Sequence, residues 1–168
     1  GSVNGFKWST DENKIYFTAP LAGTIQLFEI EAKEGATVTQ ITKGIHNITS
    51  IEGETKTHFV LTRTDMNHAK EVYTFDKKKK TFKQITHVND DAYSKLTLPK
   101  VEKRITKATD GKDLLSWVIY PPNFDKNKKY PTLLYCQGGP QSPLTQFYSF
   151  RWNFQLMASQ GYIIIAPN

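Results

Sequence analysis

The sequence predicts a mixed fold: two β-propeller blades, which are all β, followed by the opening part of a parallel α/β domain. Three observations carry this. Up to about residue 98 the chain shows short alternating apolar runs and no helical periodicity. Those runs recur at an offset of 44 or 45 residues. Past Leu98 the pattern changes to fully apolar runs separated by an aromatic-rich helical stretch.

The repeat is visible residue by residue. Lys14–Thr18 matches His58–Thr62, Gln26–Ile30 matches Glu71–Phe75, and Gln40-Ile41-Thr42-Lys43 matches Gln84-Ile85-Thr86-His87. The predicted strands are Lys14–Thr18, Ile25–Ile30 and Val38–Ile41, then His58–Thr62, Glu71–Phe75 and Thr81–Thr86. A period of about 40–45 residues with roughly four strands is that of a propeller blade, whose sheet needs neighbours on both faces; the alternative is a chance repeat within a β-sandwich. A strand such as Phe6–Trp8 should open a blade, with apolar faces packed on the next one. The run Lys77-Lys78-Lys79-Lys80 falls between two strands and reads as a solvated hairpin turn. The sequon Asn47-Ile48-Thr49 falls in the expected loop between blades.

In the second half, Val101–Thr106 and Leu114–Tyr120 read as a hairpin turned by Thr109-Asp110-Gly111-Lys112. Thr132–Cys136 reads as a strand buried on both faces and Tyr162–Pro167 as another. Between them a helix is expected over about Thr145–Gln160. Phe147, Phe150, Phe154 and Met157 form one stripe, and Tyr148, Trp152 and Leu156 a second, so the helix should be sandwiched, with Gly161 ending it. Burial is the reading for Trp152, and a surface or interdomain ion pair the reading for Arg151.

Composition excludes several function classes. Hydrophobic residues make up 38% of the 168, which excludes intrinsic disorder. No run of 18 apolar residues predicts a membrane-spanning helix, and no signal-peptide pattern opens the chain. The net charge of +6 sits mainly after Leu98, and a solvated turn explains the densest basic run, Lys77–Lys80, so nucleic acid is not an expected partner. Cys136 is the single cysteine; it cannot form an internal disulfide and reads as a small buried hydrophobe. His46, His58, His68 and His87 show no metal-ligand spacing, so neither metal nor other cofactor is expected.

The ordered set of a propeller-period repeat, "YPTLLYCQGGPQS", a helical stretch ending "NFQLMASQGY", and "IIIAPN" resembles the prolyl oligopeptidase family of serine peptidases, in its dipeptidyl peptidase IV-like and acylaminoacyl peptidase-like branches. The resemblance implies two propeller blades over residues 1–98 and the first strands and helix of an α/β-hydrolase catalytic domain over 99–168. It also implies hydrolysis of short peptides by a Ser-His-Asp triad with a G-x-S-x-G nucleophile elbow. No serine here stands in G-x-S-x-G and no histidine follows His87, so the triad is absent and the chain itself is expected to be inactive. The oxyanion-stabilising donor of the family maps to the loop at Gln137, Gly138 and Gly139, through a side-chain amide or backbone N–H groups.

Gly1-Ser2 reads as the remnant of a cleaved tag, and an end at Asn168, where a strand finishes, reads as truncation. The family's strand order 1-2-4-3 would leave Thr132–Cys136 on an apolar edge, so self-association through exposed strand edges is expected. The resemblance favours a periplasmic or secreted compartment. The competing reading is a non-catalytic β-repeat binding or scaffold domain.

Overall fold

Eight strands fall in the first 84 residues: β1 (Gly5–Trp8), β2 (Lys14–Leu21), β3 (Thr24–Glu31), β4 (Thr39–Gln40), β5 (Asn47–Glu54), β6 (His58–Thr64), β7 (Glu71–Asp76) and β8 (Phe82–Gln84). The computed structural model describes residues 2–138 and 142–168. β1–β4 and β5–β8 are two four-stranded antiparallel meanders. A single parallel bridge, Ile25 opposite Asn47, joins them. The segment from Asn47, expected as a loop, is therefore the start of β5. Its asparagine is 2% exposed, so the folded chain does not present the sequon to solvent.

The meanders share one apolar core. Tyr16, Leu27 and Ile41 of the first pack with Ile48, Phe59, Leu61 and Phe75 of the second. Tyr16 meets Phe59 edge-on at 4.7 Å between ring centroids, a favoured aromatic geometry. Alternation along β2 and β6 places these residues on one face. β1 does not follow the expectation of a packed opening strand: Phe6 and Trp8 stand exposed, because among the described residues nothing covers that face.

The repeated Gln-Ile-Thr closes each meander by the same clasp. Thr42 Oγ1 accepts from Leu27 N at 2.9 Å and donates to Gln26 Oε1 at 2.8 Å. Thr86 Oγ1 accepts from Val72 N at 2.8 Å and donates to Glu71. Gln40 and Gln84 donate to the carbonyls of Thr42 and Thr86 at 2.7 and 2.8 Å. The four-lysine run forms the β7–β8 turn, where Asp76 Oδ1 accepts from the backbone of Lys78 and Lys79.

Backbone packing divides the chain into two units. The first is Gly1–Val88 with Thr145–Phe147; the second is Asn89–Leu144 with Tyr148–Asn168. The second begins with a short helix, α1 (Asp90–Ser94), and holds β9 (Val101–Lys107), β10 (Asp113–Ile119), β11 (Thr132–Leu134), α2 (Phe154–Ser159) and β12 (Ile163–Pro167). The sheet runs β11-β12-β10-β9, with β11 and β12 parallel and the other pairs antiparallel. In order of appearance this is 1-2-4-3. Trp117, Ile119, Phe154, Ala158, Ile164 and Ala166 are buried in this unit.

Three expectations fail here. The helix covers Phe154–Ser159, not Thr145–Gln160. Asn153 caps it, its side chain accepting from Leu156 N at 2.9 Å, so the chain before it is not helical. Phe150 is 85% exposed and Trp152 and Leu156 are also exposed, so there is no sandwiched aromatic helix. Gly161 does end it, in the left-handed conformation with φ +86°. Lastly, Thr132–Cys136 is not buried on both faces: β11 is exposed throughout and Cys136 is exposed, because β11 lies at the edge of the sheet.

Candidate functional site

In open sheets with parallel strands, ligands gather beyond the carboxyl ends of those strands. Here that place is the loop leaving β11. Tyr135 N donates to Ile165 O at 2.8 Å, extending the ladder with β12 by one residue. The Tyr135 ring packs edge-on against Phe154 at 4.9 Å and lies 6.2 Å from Trp152. Its hydroxyl donates to Gln137 Oε1 at 3.2 Å. Residues two apart on extended chain project to the same side, which is why this pair meets. The bond takes the amide oxygen and leaves the Gln137 Nε2 donor on an exposed side chain. Gly138 is exposed, and a Cβ there would meet nothing within 4 Å. Gly139, the third predicted residue, lies outside the described residues.

The downstream end of the loop is fixed by a residue that sequence reasoning missed. Asn168, just past β12, accepts from Leu144 N through Oδ1 at 2.6 Å and donates Nδ2 to Leu144 O at 3.0 Å. Its own N–H donates to Leu115 O at 2.8 Å. An Asn after an apolar strand carries little signal by itself, because its partner is 24 residues away. Arg151 is on the surface as expected, but its guanidinium lies over the Trp152 ring at 5.3 Å. Among the described residues it makes no ion pair.

A second polar cluster lies inside the first unit, on a cleft of about 620 Å³ lined by Tyr16, Glu54, Phe59 and Lys77 among others. Glu54 accepts from Tyr16 Oη at 2.8 Å, from Thr10 N at 2.9 Å and from Lys77. Burial pushes its carboxyl up, but the bonds from Lys77, Thr10 and Tyr16 outweigh burial and hold it below the usual range. Burial first, and the Glu54 carboxylate second, push the Tyr16 hydroxyl well above its ordinary range. Each group is paired within the cluster, which is therefore a structural ion network.

His46 is buried against Phe82 at 5.0 Å, with Nε2 unpartnered among the described residues. Gly44, at φ +141°, lies so close that a Cβ would stand 2.7 Å from the ring. Burial, then the Arg63 charge, lower the imidazole from 6.5 to about 4. Between these values the unfolded chain binds a proton that the folded chain does not. The His46 contribution is therefore expected to lower stability as pH drops from 6.5 towards 4, by on the order of 2–3 kcal/mol, and to add no further slope below that. Urea melts of the wild type and His46→Phe across this window check it; equal slopes in the two proteins would refute it. The Glu54 carboxyl, held below its ordinary 4.5, begins to lose its own contribution as pH falls through about that value and loses the rest below it.

Sequence and structure comparisons find peptidases among the proteins similar to this chain. No family model matches the chain. It is 42% identical over 167 residues to dipeptidyl-peptidase 5 of Porphyromonas gingivalis, covering 99% of this chain and 24% of that protein. The acylaminoacyl peptidase of Pyrococcus horikoshii superposes with a TM-score of 0.79 at 26% identity, over 99% of this chain and 25% of that one. Dipeptidyl peptidase 4 of Porphyromonas gingivalis shares the fold, with a TM-score of 0.68 at 18% identity over 100% of this chain and 24% of that one. The chain spans about a quarter of the length of the relatives it matches. These matches are consistent with the prolyl oligopeptidase family, in the branch of the dipeptidyl peptidase IV-like proteins.

Proposed function

We propose that this chain is a segment of a serine-type dipeptidyl peptidase that cleaves short peptides. Residues 1–98 supply two propeller blades, and 99–168 open an α/β-hydrolase catalytic domain. The 42% identity to a dipeptidyl-peptidase 5 along 99% of the chain carries this reading. The two equal meanders and the 1-2-4-3 sheet with a parallel β11–β12 pair support the division.

In this reading the nucleophile, base and orienting carboxylate lie outside residues 1–168, and the chain alone is inert. Attack of a serine hydroxyl on the scissile carbonyl makes a tetrahedral oxyanion, and its charge needs preorganised donors. Gln137 Nε2 supplies one and the N–H groups of Gly138 and Gly139 are the others. Tyr135, by engaging Gln137 Oε1, turns the amide so that its N–H side is available.

The test treats the full-length protein and this chain side by side with a fluorophosphonate probe, which reacts with activated serines, and with dipeptidyl chromogenic substrates. Labelling and turnover are expected for the full-length protein and neither for residues 1–168. A full-length protein that neither labels nor cleaves would leave the scaffold reading in its place.

A further inference from the structure

We propose that Arg151 binds a carboxylate of the peptide substrate and so sets which peptides the site of the second unit prefers. This specificity role rests on the peptidase reading above. Lys95, Lys100, Arg104, Lys107 and Lys112 of the same unit each pair with a carboxylate within 3.2 Å. Arg151 meets none among the described residues. Its side chain is exposed, and its guanidinium lies over the Trp152 ring, 5.3 Å from the centroid. Stacking on a ring holds the planar head and leaves its in-plane N–H donors unspent. A fork held in this way matches the two oxygens of a carboxylate.

The turn that presents this head is fixed at both ends. Trp152 N donates to Ser149 Oγ at 3.0 Å, and Asn153 caps α2 by accepting from Leu156 N at 2.9 Å. Trp152 in turn lies 6.2 Å from the Tyr135 ring, whose hydroxyl engages Gln137. Arg151, Trp152, Tyr135 and Gln137 thus form one series of neighbours within the second unit, ending at the candidate oxyanion donor. Two or three residues of extended peptide span roughly 7–10 Å, the scale of that series. A carboxylate near the scissile bond therefore reaches the guanidinium while the scissile carbonyl faces Gln137. The substrate's amino terminus, itself a cation, is repelled there. The part facing Arg151 is accordingly the leaving peptide, which brings either an acidic side chain or its free carboxyl terminus.

Steady-state kinetics on the full-length protein test it, with tripeptides that share one dipeptide and differ only in the third residue. One pair carries Ala as the free acid or as the amide; the other carries Glu or Gln, both as amides. In at least one pair, KM should be about fivefold lower for the carboxylate than for its neutral partner, the upper range for an exposed ion pair, with kcat alike. A contrast in the first pair assigns the carboxyl terminus, and one in the second the acidic side chain. Arg151→Gln should erase the contrast, Arg151→Lys should keep part of it, and salt at about 0.5 M should shrink it. Damage to the fold would move both members of a pair together, so the ratio within a pair is a readout that a merely structural role leaves unchanged. An active enzyme that shows no contrast in either pair, or whose contrast survives Arg151→Gln, overturns the proposal alone. A full-length protein that cleaves none of the tripeptides overturns the peptidase reading and this role with it.

Discussion

Gln137→Ala in the full-length protein is expected to lower turnover of a dipeptidyl substrate by about 10²–10³-fold, the usual loss for one oxyanion donor. Its thermal midpoint should stay within a degree or two of wild type, because Gln137 is exposed and its one observed bond is to Tyr135 Oη. The companion variant Tyr135→Phe keeps the ring against Phe154 and removes only the hydroxyl. It frees the amide to rotate, so kcat should fall by several-fold and not by hundreds. Steady-state kinetics decide between the outcomes. Unchanged kcat in Gln137→Ala would mean that the backbone N–H groups act alone, and that the side chain has no part in the chemistry.

The second large effect concerns the edge of the sheet. Its two edges differ in kind. β9 carries Lys103, Arg104 and Lys107, and charge of this sort discourages pairing with another chain. β11 offers Thr132, Leu133 and Leu134 with no charge, and Leu134 is 65% exposed. Phe150, Trp152 and Leu156 add exposed apolar surface in the same unit. Residues 1–168 are therefore expected to self-associate at roughly 100 μM, in the range where such surfaces aggregate. Leu134→Lys should return most of the material to monomer, because a charge on a bare edge opposes strand pairing without disturbing buried packing. Sedimentation velocity reads both results. A monomeric wild type, or a variant with the same distribution as wild type, would show that β11 is not the contact.

Much of the first unit was legible because its signal is local and repeated. Lys14–Thr18 and His58–Thr62 alternate, and their likeness at a fixed offset reinforces each. β5 was missed because Asn47–Glu54 holds only two large apolar residues, Ile48 and Ile51, and its pairing with β6 shifts register twice. The helix was overextended for the opposite reason. Large apolar residues three and four apart, Phe147, Phe150, Phe154 and Met157, mimic a helix face. They serve an irregular segment whose first part is drawn into the other unit and whose helix starts only at the Asn153 cap. Burial of Thr132–Cys136 was inferred from apolarity, but burial is a property of neighbours, and β11 has one strand beside it.

The candidate site was legible only in part. Gln137 and Gly138 came from resemblance. The Tyr135–Gln137 bond could have been read from the two-residue spacing of extended chain. The anchor Asn168 on Leu144 spans 24 residues of sequence, and no local pattern announces it.

The Thr42 and Thr86 clasps have an evolutionary consequence. Each meander secures its own last strand with its own residues, and among the described residues a single ladder pair joins the two backbones. Such a module can be copied in tandem without renegotiating its closure, since a duplicate brings its own fastening. Gene duplication can then lengthen or shorten the array by whole multiples of about 44 residues, and recombination points between Lys43 and Asn47 would leave both clasps intact.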